Sequence, residues 1–223
     1  LVLGENASEA SKEAWRDSYG LNDPFWEQYA DYMSGVVRGD FGNSYKTGKP
    51  ITVTLMERFP VTFLLAILAG AVAMIVGVLL GILAANHKNS IIDSIVSVFG
   101  MLGVSMPMFW FALVLIMYFS VELKWFPVSG WYGPKYWVLP SIALGLNHTA
   151  SIMRITRSSM LDCMKQDYIR TARAKGQNEG YITTHHVLRN SMIPIITAVG
   201  GAFGIALGGA VILETIFSIP GLG

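Results

Sequence analysis

Residues 61–85 contain no charged side chain. At about 1.5 Å of rise per residue, a helix of that length crosses a hydrocarbon layer of about 30 Å. Inside a bilayer every backbone polar group must be satisfied within the protein, and a helix does this alone. Three further apolar runs follow, at about 95–121, 138–153 and 192–213. The pattern predicts an all-α chain, a polytopic bundle of transmembrane helices. Composition agrees: 52% of residues are hydrophobic and 14% charged, against about a quarter charged in a soluble domain. The net charge of +1 gives no bulk signal for nucleic acid.

Each span carries features that bear on packing or passage. Gly77 and Gly81 form a small-residue pair that lets another helix approach closely. The second run contains Pro107, and a kink there suits either a pathway-lining helix or a static packing bend. Met101, Met106, Met108 and Met117 are potential soft-metal ligands, but they equally serve as flexible apolar filling. The third run is short and interrupted by Asn147, His148 and Thr149, and Arg154 is expected to snorkel to the interface. Polar groups in a span face a bundle interior or a water-filled cavity. Ser105, Pro107, Asn147 and His148 are therefore the pathway candidates, with helix–helix contact as the alternative for His148. The fourth run carries Gly200, Gly204 and Gly208 at four-residue spacing, a stripe expected to pack on a helix of this or a partner subunit.

The remaining segments are polar. Residues 1–58 form a segment on one side of the membrane, with an amphipathic helix from Asp23-Pro24 to about Arg38. Trp26, Tyr29 and Met33 share one face of it. The loop 122–137 holds Trp125, Trp131, Tyr132, Tyr136 and Trp137, suited to an interfacial aromatic belt. Lys and Arg number one in 86–94 and seven in 154–191, against two in the outer loop 122–137. The positive-inside rule places the loop 154–191 in the cytoplasm and the N-terminal segment outside.

Within that cytoplasmic loop, Tyr168 to Lys175 holds no helix breaker, Gly176 permits a sharp turn, and a second helix is expected from about Glu179 to Asn190, stopped before Pro194. The implied shape is a helix, a turn and a helix presented to water, either a docking surface or a plain topology signal.

The run Arg170-Thr171-Ala172-Arg173-Ala174-Lys175-Gly176, with Leu188 and Pro194 beyond it, resembles the cytoplasmic coupling loop of ABC-importer permeases, in the branch that handles dipeptides, oligopeptides and nickel. The family's general motif is Glu-Ala-Ala, three residues, Gly, nine residues, Ile, one residue, Leu-Pro. Ala172, Gly176 and Leu188 fall on it, while Arg170, Thr171, His186 and Arg189 depart from it; the peptide branch carries the RTARAKG form. The stretches 20–24, 38–44, 124–131 and 214–223 also resemble that family's outer segments. The resemblance implies a piece lacking a first and a last span, in a bacterial or archaeal cytoplasmic membrane. It implies a pore subunit paired with a homologous permease, two cytoplasmic ATPase subunits carrying ATP and Mg, and an extracytoplasmic solute-binding protein. Residues Tyr168, Ile169, Arg170, Thr171, Ala172, Arg173, Ala174, Lys175, Gly176 and Leu188 would couple to the ATPases. The cargo would be di- or oligopeptides; alternatives are nickel or a nickel chelate, and a structural subunit with no pathway.

Chemistry of its own is not expected from the chain. Lys49 follows Gly48, but Pro50 stands where a P-loop needs Ser or Thr. There is no H-E-x-x-H and no G-x-S-x-G. Cys163 alone makes neither a disulfide nor a cysteine-rich metal site. His185 and His186 are adjacent and diverge by about 100° on a helix. His148 with Ser151 is the whole inventory for an intramembrane hydrolase. No catalytic residue, resident metal or cofactor is expected.

Overall fold

The computed structural model describes residues 8–44 and 47–223. They are helical almost throughout and form two compact units, the first ending at residue 59 and the second running from 60 to 223.

In the first unit, α1 spans Glu9–Ser18, capped by Ser8, whose Oγ accepts from the Ser11 N–H. Helix α2 spans Phe25–Val37, with Pro24 rather than Asp23 at the N-cap, so the helix starts one residue later than the Asp-Pro signal suggests. It closes on Gly39 at φ +80°. The Gly39 and Asp40 N–H groups donate back to Val36 and Gly35 at 3.0 and 2.9 Å. The chain then doubles back: an isolated bridge joins Asn43 to Pro50, and the Ile51 N–H donates to Gly42 O.

Helix α3, Ile51–Asn86, begins in the first unit and continues through Pro60 into the second. At about 54 Å it exceeds what a crossing needs. Helix α4, Ile91–Ser105, is capped by Ser90, and α5, Met108–Leu115, passes into a π-helical stretch, Ile116–Glu122. The sequence suggested one span kinked at Pro107. Instead the two halves meet at 99°. Met106 is extended, since proline disfavours the helical conformation in the residue before it.

Helix α6 spans Pro134–Met164, well beyond the expected 138–153, so the first part of the supposed loop 154–191 is helix. It packs against α3, α4, α5 and α9 and is the central helix of the unit. By length and composition α3 and the helix Glu179–Gly208 suffice to cross a membrane, as do the bent halves taken together. Helix α6 is not among these. Surrounded by helices, it has less need of lipid-compatible side chains, and it carries Asn147, His148 and Thr149 at its middle.

Helix α7 spans Asp167–Ala174. A continuous helical rod follows: α8, Glu179–Tyr181; a π-helical stretch, Ile182–Val187; and α9, Leu188–Gly209. The second helix therefore does not end before Pro194, which sits inside α9. Proline is tolerated in membrane helices where the freed carbonyl is satisfied locally or by neighbours. Short α10, Val211–Ile216, leads into the final turn.

Two apolar clusters hold opposite ends of the second unit. One gathers Leu65, Ala69, Leu115, Leu144, Leu213 and Phe217. The other gathers Ala85, Met160, Ile169, Ala172, Ile182 and Val187.

Candidate functional site

Helix α7 is amphipathic, and its two buried residues, Ile169 and Ala172, enter the second cluster between the ends of α3, α6 and the π-helical stretch. Tyr168, Arg170, Thr171, Arg173, Ala174 and Lys175 remain exposed. Thus one side of this short helix is anchored and the other is offered to solvent.

The turn after α7 is fixed by local chemistry. The Gln177 N–H donates to Ala172 O at 3.3 Å and the Gly176 N–H to Arg173 O at 2.9 Å. This is the two-bond helix ending that requires a left-handed residue. Gly176 supplies it at φ +75°. Arg173 spans the turn, donating from Nε and Nη2 to the Glu179 carboxylate at 2.7 and 3.2 Å. Asn178 caps the next helix by accepting from the Gly180 N–H at 2.7 Å. His186 bonds to Gln177 at 3.0 Å, and Asn190 donates to Tyr168 Oη at 3.2 Å. Partial burial, with Cys163 beside it, pushes the Tyr168 phenol above its ordinary value. Leu188 lies partly buried against the same cluster.

The glycines divide into two groups. A Cβ on Gly77 would meet Ile152 Cγ2 and Thr149 O at 2.9 Å, and one on Gly81 would meet Thr156 Cβ at 2.5 Å. Helices α3 and α6 touch through these positions. Gly145 on α6 completes the contact, its Cβ position 2.7 Å from Ala69 O. Around Gly200, Gly204 and Gly208 nothing lies within 4 Å of a Cβ, so that stripe packs on no element of this chain among the described residues.

The pathway candidates are not gathered in one place. Asn147 lines a cavity of about 380 Å³ in the α4–α5 elbow, with Gly103, Met106, Met108 and Phe111. The rest of that lining is nearly all apolar. Ser105 and His148 are not part of it; Ser105 is exposed and donates to Met101 O at 2.9 Å, and His148 is half-buried. Pro107 forms the N-cap of α5. No group of three His, Cys, Asp or Glu is placed to hold a metal among the described residues.

Two buried polar contacts escaped the sequence reading. Asp93 on α4 pairs with Arg157 on α6 at 2.7 Å. Glu214, fully enclosed, accepts from Thr62 Oγ1 and from the Gly223 N–H, while Thr62 Oγ1 accepts from the Leu222 N–H at 2.9 Å. The Gly130 N–H donates to Phe217 O at 2.7 Å. Thr62 and Glu214 lie 152 positions apart, and no local pattern links them.

The fold is that of a polytopic helical membrane protein. The chain belongs to the family of binding-protein-dependent transport system inner membrane components, whose model matches residues 77–223. It is 39% identical over its whole length to the dipeptide transport system permease protein DppB of Alkalihalophilus pseudofirmus, covering 75% of that protein. It is 38% identical to the oligopeptide transport system permease protein AppB of Bacillus subtilis, covering 74% of it. The glutathione transport system permease protein GsiC of Escherichia coli is 39% identical and 73% covered. The crystal structure of an amino acid ABC transporter with histidines shares the fold, with a TM-score of 0.59 at 17% identity over 77% of this chain and 75% of that one. The chain is thus a permease subunit of an ABC importer of the peptide family and not itself an enzyme.

Proposed function

We propose that this subunit forms part of the route for di- or oligopeptides through the cytoplasmic membrane, driven by ATPase subunits that grip α7. The observation that carries the coupling role is the two-sided character of α7. Ile169 and Ala172 lock it to the ends of α3, α6 and the π-helical stretch, while Arg170, Thr171, Arg173 and Lys175 face outward. A helix held this way transmits a push, whereas a loose loop would absorb it. The turn at Gly176 and the Arg173–Glu179 pair stiffen the lever.

The peptide assignment draws support from relatives named for dipeptides, oligopeptides and glutathione. In this reading a homologous permease completes the pore, an extracytoplasmic binding protein delivers the cargo, and ATP with Mg is held on the ATPases. The α7 end lies in the cytoplasm, where the basic loop residues concentrate.

The test is uptake. Cells lacking the endogenous gene and carrying this subunit with its partners should accumulate a labelled dipeptide. The Gly176→Val subunit should insert normally but lose uptake and binding-protein-stimulated ATP hydrolysis. Wild-type uptake in that variant would overturn the coupling role. Nickel uptake without peptide uptake by the unaltered subunit would overturn the cargo assignment.

A further inference from the structure

Helix α2 presents an aromatic face with no cover within the chain's described residues. Phe25 is 70% exposed, Trp26 75% and Val37 82%. Tyr29, Tyr32 and Met33 are exposed beside them. At about 100° per residue these six positions, with Val36, occupy an arc of about 140°. Glu27 and Asp31 fall on the opposite side. The rings of Phe25, Trp26 and Tyr29 form one patch, with centroids 5.3 to 6.4 Å apart.

The end of this helix is tied to the start of a membrane span. Thr52 Oγ1, in the first turn of α3, donates to Gly39 O at 2.9 Å. The Asn43–Pro50 bridge and the Ile51–Gly42 bond close the connection between them. The first turns of α3 continue the apolar surface, with Val53, Leu55, Met56 and Phe59 exposed. From Pro60 onward that helix carries no charge to its end at Asn86. So α2 is anchored where the chain approaches the bilayer, and a short tether of this kind makes even weak surface partition effective.

We infer that α2 lies in the membrane–water interface, with its Phe25–Trp26–Tyr29–Tyr32 face in the lipid headgroup region and Glu27 and Asp31 in water. Trp and Tyr suit that boundary because each joins an apolar ring to a polar tip. The helix contains no Lys or Arg. Its attachment therefore rests on aromatic burial and not on attraction to anionic lipid. The inference needs α3 to cross the membrane and is independent of the cargo.

The experiment uses the full-length protein in lipid nanodiscs, with Cys163→Ala and a nitroxide label at either Tyr29→Cys or Asp31→Cys. Relaxation by oxygen reports lipid, and relaxation by a water-soluble nickel chelate reports water. The oxygen-to-chelate accessibility ratio should be several-fold higher at position 29 than at 31. It should be the same in phosphatidylcholine discs and in discs with added phosphatidylglycerol, and unaltered by high salt. Equal ratios at both positions would overturn the inference. Protection of position 29 from both reagents would overturn it in favour of a protein cover, and a label at 29 that is free in water until binding protein is added would do the same. A ratio that rises only with anionic lipid would refute the aromatic basis.

Discussion

Arg157 on α6 donates from Nε and Nη2 to the two carboxylate oxygens of Asp93 on α4, each at 2.7 Å. Asp93 also accepts from the Asn89 N–H at 3.0 Å, and its own N–H donates to the Ser90 cap. One residue therefore closes the α3–α4 turn, receives the cap that starts α4 and fastens the helix to the central one. Asp93→Leu should cost about 1–3 kcal/mol, since it leaves a partly buried guanidinium without its partner. The double variant Asp93→Leu, Arg157→Leu should unfold closer to wild type than either single variant. Thermal unfolding of the four proteins in one detergent checks this, and simple additivity would contradict it.

The two glycine groups should separate by readout. Gly81→Leu places a side chain against Thr156 and the Met153 carbonyl, a backbone neighbour that cannot step aside. It should lower the stability of the isolated subunit by at least the usual overpacking penalty of about 1–3 kcal/mol. A Cβ at Gly204 meets nothing within 4 Å among the described residues, so Gly204→Leu should leave the isolated subunit's melting temperature nearly unchanged. If the stripe faces the second permease, recovery of the assembled complex should fall. Measuring both quantities on both variants distinguishes an internal seam from an external one.

Thr62→Val should loosen the segment 214–223. The hydroxyl both donates to Glu214 and accepts from the Leu222 N–H, so its loss removes a donor from the enclosed carboxylate and the acceptor of the Leu222 N–H. The expected cost is about 1–3 kcal/mol for each uncompensated group. Thr62→Ser should restore most of it. Hydrogen exchange at Leu222 and Gly223 is the direct measurement, and unchanged protection in the valine variant would refute the contact.

Single cysteines at 105, 147 and 148 in a Cys163→Ala background should label unequally. Ser105 is exposed and should react with a charged thiol reagent. Asn147 opens into an almost wholly apolar cavity, so a neutral, apolar reagent should reach it first. If the elbow is part of a gated route, labelling at 147 should change between nucleotide-free and nucleotide-bound complexes. Equal rates with both reagents at all three sites would contradict the placement.

What the sequence made legible follows from range. The charge-free run 61–85, the breaker-free helix Tyr168–Lys175 and its turn at Gly176 are each encoded in one contiguous stretch of chain. Helix α6 was underestimated because the test was apolarity, while a helix enclosed by others keeps Asn147 and Thr149 without exposing them to lipid. The Pro194 stop failed because the rule describes water-exposed helices, and the backbone there lies in a membrane-spanning rod. The Met106–Pro107 break was visible as a kink, but 99° of bend depends on what α4 and α5 each pack against. The Asp93–Arg157 and Thr62–Glu214 pairs join positions 64 and 152 apart, beyond the reach of any local pattern.

The π-helical stretch Ile182–Val187 acts as a phase adjuster. Ile182 and Val187 are both fully buried. In an α-helix residues five apart point about 140° from each other, whereas the wider turn brings them much closer to one face. Ser191 and Ile195, also fully buried, then continue the seam at intervals of four. Were the same residues wound as an even α-helix, with none removed, everything beyond them would turn by about 100° relative to α7. The glycine stripe would swing away from whatever it now faces while the elbow stayed in place. The angle between α7 and the outer surface of α9 is thus set by the widened π-helical turn.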